Sequence, residues 1–243
     1  MITPTPSSRP ASHLDRAPAA GHAEARAALG LYLPLGYPTR AASLDALHLM
    51  AQSADVLEIG IPHTAPVLDG PVIREAVGQA LAGGFDIDDV FTATSELTTS
   101  TPAALLVMSY WEPIAQYGPE SFASQLAAAG GAGVLIPDLP PSAATAWRAA
   151  AATAGLHTVP LIPSQASPAQ LAAIGASHSG MVYAPAAPGL TGSQRPLSPD
   201  LPRQVHRLRS ATRLPVAVGI GVSTPDQAGR SRRLRTPWSS ARQ

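Results

Sequence analysis

The feature that most constrains the fold is an alternation of strand-like and helix-like segments along the 243 residues. Short apolar runs rich in Val, Ile and Leu alternate with longer runs whose apolar residues recur at helical spacing. This alternation is typical of α/β proteins with a parallel sheet, in which each helix returns the chain to the same edge. The length also fits a single (β/α)₈ barrel, which often has about 250 residues. We therefore predict an α/β fold with one main domain.

The pattern predicts strands and helices in strict alternation, apart from two helices in succession after the second strand. The predicted strands cover residues 27–34, 56–61, 103–108, 132–136, 158–162, 180–183 and 214–218. The predicted helices cover residues 43–53, 71–81, 86–97, 120–129, 143–154, 168–174 and 201–208. No internal repeat larger than the βα unit is present.

Composition excludes several classes of function. The formal net charge is +0 and the pI is near 7.1, so no basic surface for nucleic acid or an anionic membrane is expected. The chain has no cysteine, which excludes disulfides and thiolate metal sites and fits a cytoplasmic protein. No apolar run reaches the ~18 residues of a membrane span. Residues 1–24 are rich in Pro, Ser and Ala, and we expect them to be disordered.

The stretch ADVLEIGIPHTAPVLDGP, residues 54–71, places two carboxylates where chemistry is plausible. Glu58 interrupts a buried strand near its end, and a carboxylate is costly to bury without a partner or a task. Asp69 lies in the following loop, just before a helix. In a (β/α)₈ barrel these loops form the active face. From spacing alone, an N-cap role for Asp69 and a structural arginine beside Glu58 explain the pattern equally well.

The same stretch resembles the signature of the tryptophan synthase alpha subunit, approximately E-[LVI]-G-[ILV]-P-[FY]-S-D-P-x-x-D-G-P. Further similarities occur at residues 31–38 (LYLPLGYP), 109–118 (SYWEPIAQYG), 183–192 (YAPAAPGLTG) and 219–227 (GIGVSTPDQ). The matches cover residues 29–228, most of the chain. The resemblance implies a (β/α)₈ or TIM barrel, with residues 25–228 as the barrel domain.

The resemblance also implies an activity: a lyase of tryptophan biosynthesis that splits indole-3-glycerol phosphate into indole and glyceraldehyde 3-phosphate without a cofactor or metal. Glu58 would be the acid–base group and Asp69 would hold the indole N–H. The other implied substrate-binding residues are Tyr183 beside Glu58, Thr191 on a mobile loop, Gly192 and Gly221 on the phosphate, and Gly219. The implied partner is a tryptophan synthase beta subunit, in a heterotetramer of two alpha and two beta chains.

The sequence departs from the family pattern at four positions that bear on this interpretation. Glu112 replaces an asparagine, His63 an aromatic residue, Thr64 a serine, and Ala65 the aspartate of a loop that contacts the beta subunit. A lone loop histidine is usually solvated, which is what we expect of His63. Because the aspartate is missing at residue 65, an alternative is a chain that binds a beta subunit without competent chemistry. Another phosphate-binding barrel lyase or isomerase is a third alternative.

The last residues differ most from the family, which continues after the seventh strand with a helix, an eighth strand and further helices. Residues 229–243, GRSRRLRTPWSSARQ, form a polar tail instead. Codons exist for residues 235–243 that, read one base out of frame, encode Asp-Ala-Val-Val-Val-Gly-Ser-Ala, which matches the family's eighth strand. We therefore predict a frameshift between residues 228 and 234. Such a chain would lack the eighth strand and C-terminal helices and would be unstable and nearly inactive.

Overall fold

The computed structural model describes residue 14 and residues 26–163, 165–187, 189, 196–222 and 224–232. Its strands are β1 (Gly30–Pro34), β2 (Val56–Gly60), β3 (Ala104–Met108), β4 (Gly133–Leu135), β5 (His157–Val159), β6 (Val182–Pro185) and β7 (Val216–Gly219). Its helices are α1 (Arg40–Ala51), α2 (Pro71–Ala82), α3 (Asp88–Ser100), α4 (Trp111–Tyr117), α5 (Pro119–Ala128), α6 (Pro141–Ala154), α7 (Pro168–Ser177), α8 (Leu201–Ala211) and α9 (Pro225–Arg232).

The strands run parallel and follow one another in chain order. Strands β1 to β5 form one sheet, β6 pairs with β7, and a parallel bridge between Leu161 and Tyr183 connects the two groups. This is the strand order of a (β/α) barrel, which confirms the predicted fold class. Among the described residues, β1 and β7 each pair with a single strand. The predicted frameshift and the predicted absence of an eighth strand concern residues outside the described part or at its edge, and they stay predictions.

Two apolar layers cover the opposite faces of the strands. Along β2, Leu57 and Ile59 belong to a cluster that packs against the surrounding helices. Val56 belongs to a second cluster in the barrel interior, together with residues of β3, β4 and β5. Side chains of a strand alternate between its faces. Glu58 therefore shares the interior face with Val56.

Leu14 closes the amino-terminal end of this interior. Its side chain is 1% exposed and packs in the cluster of Val56, Ala104 and Met181, which lie at or just before the first residues of their strands. Residues 1–24 were expected to be disordered, and Leu14 is the residue among them that the structure describes. Its burial departs from that expectation, because an isolated leucine in a polar segment gave no periodic signal but has an apolar cavity to fill.

Two helices were absent from the sequence prediction. Helix α4 has a weak sequence signal, since it is only seven residues long and buries one side chain, that of Ile114. Helix α9 includes residues 229–232 of the segment predicted to be an aberrant tail. None of the helices in the described part of the chain is long and apolar enough to cross a membrane.

Candidate functional site

Glu58 lies in the barrel interior, paired in register with Tyr32 of β1 on one side and Leu106 of β3 on the other. Burial raises the pKa of its carboxyl to about 7. Among the described residues, none makes a hydrogen bond or ion pair with this carboxyl, so the alternative of a structural arginine is wrong for this part of the chain. A carboxyl with a pKa near the working pH can both give and accept a proton, which suits general acid–base catalysis.

Asp69 is also buried, with 3% of its surface exposed. Burial raises the pKa of its carboxyl, while a hydrogen bond from the Tyr110 hydroxyl and the charge of Arg74 oppose that rise. The alternative N-cap role for Asp69 is wrong, because Gly70 occupies the N-cap of α2 and no side chain caps this helix. Instead the backbone carbonyl of Asp69 accepts a 2.7 Å hydrogen bond from Nε of Arg74 in the first turn.

Tyr110 holds the segment that carries Asp69, and sequence reasoning did not single it out. Its side chain is 1% exposed, and its hydroxyl accepts a 2.9 Å hydrogen bond from the backbone N–H of Leu68. The same hydroxyl donates to the Asp69 carboxyl, and burial keeps its pKa far above the usual range. Its position directly after β3 was the available signal, since carboxyl ends of barrel strands carry site residues.

Two further tyrosines face the carboxylates. Burial, followed by the charge of Glu58, raises the pKa of Tyr183. Burial, followed by the charges of Asp69 and Glu58, raises the pKa of Tyr32. Both hydroxyls therefore stay protonated at neutral pH and can act as hydrogen-bond donors beside the two acids.

Each of these two tyrosines lies against a glycine that has no room for a side chain. A Cβ at Gly60 would meet the Tyr32 hydroxyl at 2.5 Å, and a Cβ at Gly219 would meet the Tyr183 hydroxyl at 1.9 Å. Gly219 was predicted to bind substrate, and the structure shows it at the end of β7, under Tyr183. Because Gly219 has no side chain, the Tyr183 side chain can lie over this end of β7.

The turn after β7 has an unusual backbone. Ile220 has a φ of 58° and Gly221 a φ of 92°, a region that a β-branched residue rarely adopts. The turn is held by backbone hydrogen bonds from Ala186 to the Gly219 carbonyl at 2.6 Å and from Ala187 to the Ile220 carbonyl at 3.2 Å. It therefore lies beside the start of the long loop after β6. Thr191 and Gly192, predicted on that loop, lie outside the described residues.

Outside the barrel interior, the loop after β2 and helix α2 border a groove of about 370 Å³. It is lined by His63, Thr64, Ala65, Pro66, Val67, Arg74, Val77, Gly78 and Leu81. Val67 and the nearby Val72 are exposed apolar side chains, at 59% and 69%. His63 was expected to be solvated, but its side chain is only 10% exposed and lies 3.5 Å from Glu112, so that expectation is wrong.

Asp138, three residues after β4, caps a helix. Its Oδ1 accepts a 2.8 Å hydrogen bond from the backbone N–H of Trp111, the first residue of α4. A carboxylate at this position satisfies one of the unpaired N–H groups of the helix start.

Comparisons with known proteins agree with this geometry. Residues 19–235 match the family described as tryptophan synthase alpha chain. The alpha chain of Streptomyces avermitilis is 45% identical over 211 residues, which cover 86% of this chain and 76% of that relative. The alpha chain of Thermobifida fusca is 42% identical over 219 residues, covering 88% and 81%. Tryptophan synthase of Mycobacterium tuberculosis superposes with a TM-score of 0.82 at 37% identity, covering 92% of this chain and 84% of that one.

Proposed function

The chain belongs to the tryptophan synthase alpha chain family of lyases, and we propose that it splits indole-3-glycerol phosphate into indole and glyceraldehyde 3-phosphate without a cofactor. The observation that carries this proposal is the presence of two carboxyls, Glu58 in the barrel interior and Asp69 in the loop after β2, whose polar surroundings differ. Glu58 has no polar partner among the described residues and has a pKa of about 7, whereas Asp69 accepts a hydrogen bond from Tyr110. Two acids in different environments can take different proton-transfer roles.

Glu58 performs both proton transfers. In its protonated form it gives a proton to C3 of the indole ring, which leaves positive charge on the ring. In its ionised form it then takes the proton of the glycerol hydroxyl adjacent to the breaking bond. The hydroxyl oxygen becomes the aldehyde oxygen, the C–C bond breaks, and its electron pair returns to the ring. Glu58 ends protonated again, so the proton count closes over one turnover.

Asp69 accepts a hydrogen bond from the indole N–H and stabilises the positive charge that develops on the ring. A buried carboxylate acts strongly here because little water screens it. Its hydrogen bond from Tyr110 and the nearby Arg74 favour the ionised form that this role needs. Tyr183 and Tyr32 supply neutral hydroxyls at the same place, and they orient Glu58 and the ring.

The phosphate of the substrate binds to backbone N–H groups of Gly192 and Gly221. The turn at Gly221, with its positive φ, directs its backbone toward the loop after β6. Thr191, on the same loop as Gly192, meets Asp69 when that loop covers the substrate.

The partner in this function is a tryptophan synthase beta subunit, in an assembly of two alpha and two beta chains. The loop after β2 and helix α2 present exposed apolar side chains for this contact, Val67 and Val72 among them. Contiguous exposed apolar surface marks interaction sites, and these two valines extend the apolar lining of the groove. The indole released at the alpha site is the product that the beta subunit consumes.

An assay of indole release from indole-3-glycerol phosphate tests the activity directly. Glu58→Gln and Asp69→Asn keep the side-chain shapes and remove the acid, so each is expected to lower kcat by at least about 100-fold, the scale of a general acid–base group. Circular dichroism and thermal unfolding show whether the fold is retained. Turnover at the wild-type rate in either variant contradicts the role of that acid, and a wild-type chain that releases no indole contradicts the proposed function itself.

A further inference from the structure

The loop between β2 and α2, residues 61–70, is attached to Tyr110 at both of its ends. Near its start, the His63 ring packs on the Tyr110 ring with 5.5 Å between centroids. Near its end, Leu68 donates its backbone N–H to the Tyr110 hydroxyl at 2.9 Å, and the Asp69 carboxyl accepts from the same hydroxyl. The position of Tyr110 therefore determines the position of Asp69.

A second layer of contacts lies behind this ring. Nε2 of His63 is 3.5 Å from Oε2 of Glu112, and Oε1 of Glu112 accepts a 3.0 Å hydrogen bond from Gln116 one helical turn further along α4. The side chain of His63 is 10% exposed and that of Glu112 is 60% exposed. The pair therefore joins the loop after β2 to helix α4, two elements that meet at Tyr110.

These two residues are also two of the positions at which the sequence departs from its family pattern. An aromatic residue is expected at His63 and an asparagine at Glu112, and neither expected residue could form an ion pair with the other. The two departures are 49 positions apart in the chain, yet the structure brings them into contact.

We propose that His63 and Glu112 form a latch that positions Asp69 through Tyr110. The latch rests on the proposed function, because it acts on the carboxylate that holds the indole N–H. The contact between His63 and Glu112 holds the His63 ring against Tyr110, and the Tyr110 hydroxyl thereby stays directed at Leu68 and Asp69. Active-site geometry tolerates small displacements poorly, so support from outside the site affects turnover.

The variants that test the latch are Glu112→Gln, His63→Phe and the double variant, each made with Tyr110 and with Tyr110→Phe. Glu112→Gln removes the charge at constant shape, and His63→Phe keeps a ring on Tyr110. We expect each single variant to lower kcat by about three-fold with little change in KM, the size expected for a half-exposed ion pair. The kcat of the double variant should be no lower than that of either single variant. Once Tyr110→Phe has removed the hydroxyl, neither Glu112→Gln nor His63→Phe should lower kcat further.

A second measurement does not depend on activity. Hydrogen exchange of the Leu68 amide reports the bond to the Tyr110 hydroxyl, and it should accelerate by about three-fold in Glu112→Gln. The matched control is Glu96→Gln, which removes the same charge from the exposed surface of α3 and should change neither exchange nor kcat.

Unchanged exchange at Leu68 overturns the latch even in an inactive chain, and so does a kcat loss that persists with Tyr110→Phe. Absence of indole release from the wild type, with accelerated exchange in the variant, refutes only the proposed reaction.

Discussion

Glu58 couples the chemistry of the site to the stability of the chain. The unfolded chain ionises this carboxyl near the ordinary pKa of 4.5, whereas the folded chain ionises it at about 7. Between these pH values the folded chain holds a proton that the unfolded chain has released, so the free energy of unfolding falls as the pH rises. The loss is complete above about pH 7. A general acid–base group is therefore obtained at the expense of stability under the conditions in which it works.

Glu58→Gln should remove this pH dependence, because glutamine stays neutral in both states. A shift from 4.5 to about 7 corresponds to as much as about 3 kcal/mol. We expect the variant to exceed the wild type in free energy of unfolding by an amount of that order at pH 8, and by much less at pH 5. Urea unfolding at the two pH values measures the difference, with Glu96→Gln as control. Equal stabilisation at both pH values would show that the gain does not come from the Glu58 charge.

Gly219 is the second residue whose substitution should affect activity through the geometry of the site. A Cβ at this position lies 1.9 Å from the Tyr183 hydroxyl, so Gly219→Ala must displace that side chain from Glu58. We expect kcat to fall by at least about 10-fold, since misplaced site groups cost one to two orders of magnitude. Gly229→Ala in α9 is the control, because a Cβ there has nothing within 4 Å. Steady-state kinetics decide the matter, and full activity of Gly219→Ala would contradict the placement of Tyr183.

At the scale of elements, the strands and most helices were predictable because each buries a regular apolar face. Helix α4 was not, since it is short, contains Pro113 and buries only Ile114. Glu58 and Asp69 could be singled out because a carboxylate in an apolar strand or after it is conspicuous. The position of Tyr110 after β3 was a signal, but its role could not be predicted, because it depends on a hydrogen bond from Leu68, 42 residues earlier. For the same reason, the contact between His63 and Glu112 was not visible in the sequence.

Leu14 tests whether the amino-terminal end of the barrel needs a cover. Its side chain is 1% exposed among interior residues, so Leu14→Ala should lower the free energy of unfolding by about 2–4 kcal/mol, as for other buried leucines. Leu49→Ala is the matched control, because Leu49 is 67% exposed and should contribute little. Urea unfolding compares the two variants. Equal stability of both would show that Leu14 does not fill the barrel interior in solution.

At the scale of the whole molecule, the proposed chemistry and the proposed partner contact share one loop. Residues 61–70 follow Glu58, carry Asp69 at one end and line the outer groove with His63, Thr64 and Ala65. A partner that presses on the groove therefore acts on the same backbone segment that holds Asp69. In the proposed latch, Tyr110 on the interior side and the His63–Glu112 pair at the surface oppose movement of that segment. This arrangement makes the loop the expected route of communication between an alpha site and a beta subunit.

Ala65 is where this route differs from the family pattern, which has an aspartate in the loop that contacts the beta subunit. Ala65 is exposed at the groove, so an aspartate fits there without disturbing the core. We expect the wild-type chain and a beta subunit to activate each other weakly, and Ala65→Asp to strengthen that activation by about 5-fold or more, a typical coupling between sites. Thr64→Ser, which alters a neighbouring groove residue without adding charge, is the control. Indole release by the alpha chain and tryptophan formation by the beta chain are each measured alone and in the mixture. Strong mutual activation of the wild-type pair would contradict weak coupling, and an unchanged Ala65→Asp would show that the charge at this position does not carry the signal.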